Sequence, residues 1–212
     1  MKKLALLSIP MMLVLAACRS AQPGPMAMAM LHPISGSQAV GMVHFQQNAD
    51  GSVEVHVDMK NVPPGVHGFH IHDKGDCGDN GNAAGGHFNP TSMPHGAPDA
   101  VSHHSGDFGN VTADASGNVN ATFTTRSITV SPGDRSVVGH AVILHANPDD
   151  LTTQPSGNAG PRIACGVAAA MAGEMHHAAE MRGAPYAPPG QSSRAPAAAI
   201  PPAPAPSGRT RP

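Results

Sequence analysis

The sequence contains no tryptophan, only three cysteines, few charged residues and no convincing amphipathic helix. Charged side chains make up 12% of its 212 residues, with a formal net charge of -2. No basic stripe is present to neutralise a phosphate backbone, which argues against nucleic acid as a partner. After the first 18 residues nothing approaches the ~20 consecutive apolar residues of a membrane span. What the chain has instead is 14 histidines, 24 glycines and 22 prolines. That balance suits short strands, turns and metal ligands better than a helical core.

Apolar residues concentrate between about Gln38 and Ala170, and this sets the expected organisation. Residues 1–17 open with Lys2 and Lys3 and run apolar to Ala17, the pattern of an export signal. Leu15, Ala16, Ala17 and Cys18 resemble a bacterial lipoprotein box, which makes Cys18 the expected lipidation site and the membrane a partner through that anchor. The expected location is therefore exported, periplasmic or otherwise in the cell envelope. Residues 18–37, with Pro23, Pro25 and alternating Met26, Met28 and Met30, read as a flexible tether, residues 38–170 as the folded domain, and residues 171–212 as an Ala/Pro-rich disordered tail. Three cysteines are an odd number for an exported chain. If Cys18 carries lipid, Cys77 and Cys165 remain, either as one disulfide closing a loop of about 90 residues or as buried thiols.

Within the domain, Val53, Val55, Val57 and Met59 alternate with Glu54, His56, Asp58 and Lys60, the period of a half-buried strand. A turn at residues 48–51 joins it to an expected partner over 40–45, Val119, Ala121 and Phe123 alternate again, and residues 137–144 form a continuous apolar run. The expected class is all-β: an antiparallel Greek-key sandwich or barrel, interrupted by two long loops over 63–110 and 145–164. His70 and His72, two apart in an extended segment, project from one face, so both rings can reach one ion. His87, His95, His104, Asp107 and His145 extend the set to nitrogen and oxygen ligands suited to copper or zinc and poorly suited to calcium. Seven ligands with one shared fill two four-coordinate sites.

The segments Gly68 to His72, Gly86 to Pro90, His104 to Asn110 and Gly157 to Gly166 resemble the copper,zinc superoxide dismutases in composition, order and spacing, over about residues 38–168. The resemblance implies one copper and one zinc per subunit: copper on His70, His72, His87 and His145, zinc on His87, His95, His104 and Asp107, with His87 bridging. It implies that Asp149 links a copper-ligand histidine to a zinc-ligand histidine, and that Arg162 draws superoxide toward the copper from a loop held by the Cys77 to Cys165 disulfide. Copper then cycles by one electron while His87 carries a proton, making His87 and Arg162 the catalytic pair. His44, His56, His67, His103 and His140 fall outside the ligand pattern, and His32 is expected to be solvated in the tether. Arg162 is the only cation of its loop, which predicts a weak dependence of rate on salt. A homodimer is compatible with this reading. The rivals are a dismutase-like protein that holds metal without turnover and a purely structural envelope module.

Overall fold

A computed structural model describes residues 24–171. Nine strands, all paired antiparallel, build the fold: β1 (Met26–Pro33), β2 (Val40–Gln47), β3 (Val53–Lys60), β4 (Gly65–His72), β5 (Asp107–Ala113), β6 (Val119–Thr125), β7 (Ala141–His145), β8 (Arg162–Val167) and β9 (Ala169–Met171). Neighbours run in the order β5-β4-β7-β8-β1-β2-β3-β6, with β9 beside β1. The chain passes from β3 to the β4–β5 pair, returns for β6 beside β3, and crosses again for β7 and β8, the long-connection pattern of a Greek key. The first part of β1 pairs with β2, while its last residues, His32 and Pro33, pair with Cys165 and Ala164 of β8. One strand thereby joins the two halves into a nearly closed sandwich.

The expected period-2 strand appears with its expected bounds. Val53, Val55, Val57 and Met59 are fully buried, facing Phe45 and Val43 of β2 on one side and Phe123 and Ala121 of β6 on the other. Phe69 and Phe108 fill the space between the halves, and Phe123 meets Phe108 edge to face at 5.3 Å. The apolar run at 137–144 becomes strand only from Ala141, and all five residues of β7 are buried. Val142 and Leu144 enter the main core, whereas Ala141 and Ile143 pack with Cys165 and Ala84 in a smaller cluster on the outer face. A strand covered on both sides has no reason to alternate.

Two expectations are corrected. The tether over 18–37 is strand from Met26: Ala27, Ala29 and Leu31 point into the core and Met26, Met28 and Met30 outward. Alanine is small enough for the two halves to approach closely but is depleted in strands, so the alternation carried little signal. His32 is exposed as expected, but at the end of this strand. The expected loop over 63–110 likewise contains the central strand β4 and the start of β5. The signal segment, Cys18 and the tail, including Met175, His176, His177 and Met181, lie outside the described residues. Among the described residues no helix is long and apolar enough to cross a membrane.

Candidate metal centre

Strand alternation puts His70 and His72 on the outer face of β4, opposite Ile143 and Ala141 of β7, while Phe69 and Ile71 face the core. Two bulges then bring distant side chains to that face. The register between β4 and β5 shifts after Gly68, so that His70 stands opposite Asp107, and Gly109 on the bulged strand takes φ +68, in the left-handed region. The register between β7 and β8 shifts at Leu144, so that His145 stands opposite Arg162. A bulge adds one residue to one strand and re-aims the side chains beyond it.

The result is two buried groups, His70, His72, His87 and His145, and His87, His95, His104 and Asp107, each with its ligand atoms within 4.8 Å of one another. All seven predicted residues are brought together, and His87 belongs to both groups. In the second, the Nδ1 atoms of His87, His95 and His104 converge on Asp107 Oδ1 at 2.7, 3.1 and 3.1 Å. Asp107 Oδ2 accepts the backbone N–H groups of Gly96 and His104. In the first, Nε2 of His72 and Nε2 of His145 lie 3.3 Å apart, while their Nδ1 atoms face the carbonyls of Gly85 and Gly160 at 3.0 Å. Each ring is thus fixed by one nitrogen and presents the other.

Asp149 bridges the groups from behind, with Oδ2 2.8 Å from His70 Nε2 and Oδ1 3.0 Å from His95 Nε2. Its loop permits this because Gly157, at φ +66, packs against the carboxylate where any Cβ would collide with Asp149 Oδ1. Three buried ring nitrogens, His70 Nδ1, His87 Nε2 and His95 Nδ1, have no hydrogen-bond partner, the last lying 3.1 Å from Asp107 Oδ1 without hydrogen-bond alignment. Such orphans are costly unless something binds them. They belong to one cluster of four imidazoles and one of three imidazoles and a carboxylate, donor sets that fit copper and zinc.

Burial, reinforced by the neighbouring rings, holds His70 and His72 well below the usual histidine range. Burial also lowers His145 to about 4, against the Gly160 carbonyl that pulls the other way. Burial alone would raise Asp107, but the His87 ring and the backbone N–H groups of His104 and Gly96 outweigh it and keep the carboxylate well below its ordinary range. Neutral imidazoles and an ionised carboxylate are the states metals require. In metal-free protein the same shifts set a pH dependence. Unfolded histidines take protons near 6.5 while folded His145 resists until about 4, so the unfolded state binds more protons on acidification. Stability of the chelator-treated protein is expected to be complete above pH 6.5 and to fall toward pH 4, as read by denaturant midpoints across that range; a flat profile would contradict it.

Cys77 and Cys165 form a disulfide. It anchors a short 3-10 helix (Asp79–Ala84), against which the Arg162 guanidinium is held by donating to the carbonyls of Gly81 and Gly85. Arg162, His72, His87, His145 and Pro161 line a cleft of about 540 Å³ opening over the first group.

A family model described as copper/zinc superoxide dismutase matches residues 39–168. The chain belongs to the copper/zinc superoxide dismutase family. A solved structure titled "Crystal Structure Analysis of the clock protein EA4" is similar at 37% identity, covering 68% of this chain and 93% of that one, with a TM-score of 0.63. The family uses copper and zinc, and the group around His145 matches its copper site while the group around Asp107 matches its zinc site.

For this dismutase-family chain, sequence reasoning missed the supports. Asn110 and Asp149 exchange hydrogen bonds, Asn110 Nδ2 donating to the Asp149 carbonyl and Asp149 N–H to Asn110 Oδ1. Gln154 clamps the His95 backbone the same way. His67 is buried, its ring nitrogens 2.9 and 2.7 Å from the carbonyls of His145 and Pro63, so it fixes the backbone of a ligand. Asn110 ends the His104 to Asn110 segment with no chemistry of its own to mark it, and nothing local marks Gln154. His103, bonded to the His104 carbonyl, and His140, packed 4.0 Å from Phe88, stand outside both groups as expected.

Proposed function

We propose that this chain dismutates superoxide, two superoxide anions and two protons giving one dioxygen and one hydrogen peroxide. The carrying observation is the double membership of His87: it belongs to both groups, its Nδ1 meeting Asp107 Oδ1 while its buried Nε2 has no hydrogen-bond partner. Bound copper supplies reversible one-electron chemistry, and bound zinc a fixed charge that lowers the proton affinity of the His87 ring. His87 is the proton carrier at Nε2, kept in place through Nδ1. Asp149, holding His70 and His95 through their far nitrogens, is a positioning residue that sets both ring orientations.

Arg162 supplies the positive charge at the cleft. Its carbonyl contacts keep the guanidinium beside His72 and His145 without neutralising it. Arg162→Ala is expected to lower the second-order rate with superoxide roughly tenfold and to flatten its already shallow salt dependence. An unchanged rate would remove the steering role, and a steep salt-induced fall in wild type would overturn the expected shallow dependence. The disulfide fits an oxidising, exported setting, and with residues 1–18 it supports a lipid anchor at Cys18.

The test is dismutation by purified protein, with copper and zinc quantified in the same sample and cyanide as inhibitor. Cyanide-sensitive turnover at one copper and one zinc per chain is the expected result. The similarity to a protein titled as a clock protein favours a second reading, in which the fold holds both metals for another purpose. Full loading without turnover selects that reading.

A further inference from the structure

The outer face of β1, β2 and β3 carries a group of soft donors that the dismutase centre does not use. Residues of these strands that point away from the core include Met28 and Met30 on β1, Met42 and His44 on β2, and His56 on β3. Register brings them together: Met28 stands opposite His44, His44 opposite His56, and Met30 opposite Met42 in the adjacent row. Facing positions on paired strands hold their Cβ atoms about 5 Å apart and diagonal positions about 7–8 Å, within reach of a methionine side chain. Met30 and Met42 are 51% and 39% exposed, too open for a core role. His56 Nδ1 lies 2.9 Å from Thr122 Oγ1 on β6, the side of β3 away from His44, so that ring is engaged outside the group. His44 has no side-chain hydrogen bond among the described residues.

Strands favour β-branched and aromatic side chains, so sheet propensity does not account for three thioethers beside one imidazole. Thioether sulfur is a soft ligand that selects monovalent copper, and imidazole is compatible with it. The catalytic histidines lie on the outer face of β4 and its neighbours, in the other half of the sandwich, with the hydrophobic core between. We propose that Met28, Met30, Met42 and His44, which face one another directly or diagonally on two adjacent strands, form a second, surface site for one cuprous ion, separate from the copper and zinc groups of the dismutase centre. Its exposure makes it a site for reversible capture from solution, in contrast to the buried groups.

The experiment loads the protein fully with copper and zinc and then titrates cuprous ion, under anaerobic reducing conditions, against a chromophoric cuprous chelator. Wild type is expected to take up one further equivalent, with sulfur and nitrogen scatterers in its X-ray absorption spectrum. The triple variant M28L/M30L/M42L keeps side-chain volume at two exposed positions and one partly buried one, so folding and dismutation should be unchanged. It should weaken the extra site at least tenfold, and H44Q should weaken it comparably. No additional equivalent in wild type, or an equivalent that survives in both variants and therefore resides elsewhere on the chain, overturns the proposal. Loss of the dismutase metals from a variant would show in the metal count before titration, and the single substitutions M30L and M42L then carry the test.

Discussion

His87→Ala is expected to reduce superoxide turnover by at least about a hundredfold and to weaken binding at both metal groups together. Changes to residues that merely orient metal ligands cost about 10–100-fold in affinity or activity, and His87 is nearer the chemistry than any of them. Its Nδ1 sits 2.7 Å from Asp107 Oδ1, and its ring lies 4.0 Å from that of His70. Truncation removes one of four donors from each group at a stroke, strips Asp107 of its closest partner and deletes the proposed proton carrier. No other ligand has that reach, because His72 and His145 serve only the first group and His95 and His104 only the second. His103→Ala is the natural control. Although His103 precedes a ligand, its ring turns to the His104 carbonyl, so metal content and rate should hold. Purified H87A with near-normal zinc, copper and turnover would dissolve the shared-ligand reading. Loss of copper alone would place His87 in one group only.

Much of the centre was readable because its ligands are spaced by strand geometry and by short motifs. His70 and His72 share a face for the same reason that Val55 and Val57 do, and the structure keeps both pairs on the faces their alternation assigns. The supports were not readable, because they depend on contacts between loops far apart in sequence. Gln154 reaches His95 across 59 positions and His67 reaches the His145 carbonyl across 78. The bulges in β5 and β8 were also hidden, since an unpaired residue alters register without altering composition. β1 was missed for another reason. An Ala/Met alternation followed by His and Pro has the right period but weak strand preference, and its burial is conferred by the partners it joins. The strand that read as a spacer in fact closes the sandwich and presents the methionines of the surface site.

Removing the disulfide through Cys77→Ser with Cys165→Ala is expected to lower the unfolding free energy of metal-free protein by about 4–5 kcal/mol, the entropy of an 88-residue separation in the simplest chain model. At this domain size that corresponds to roughly 10–20 °C in Tm. Alanine suits position 165 because the cysteine is 1% exposed among Ile143, Ala141 and Ala84, where a serine hydroxyl would add its own desolvation cost. Metal-free protein is the right reference, since bound ions stabilise the native state independently and would mask the difference. The consequence for activity is separable. The bridge fixes the 3-10 segment whose Gly81 carbonyl, with that of Gly85, holds Arg162, so a fully metal-loaded variant well below its Tm should approach the rate of Arg162→Ala. Combining the two changes should then cost little more than either alone, the mark of residues acting through one element. Fully additive losses would separate the disulfide from the arginine, and an unchanged rate would leave the bridge a purely thermodynamic constraint.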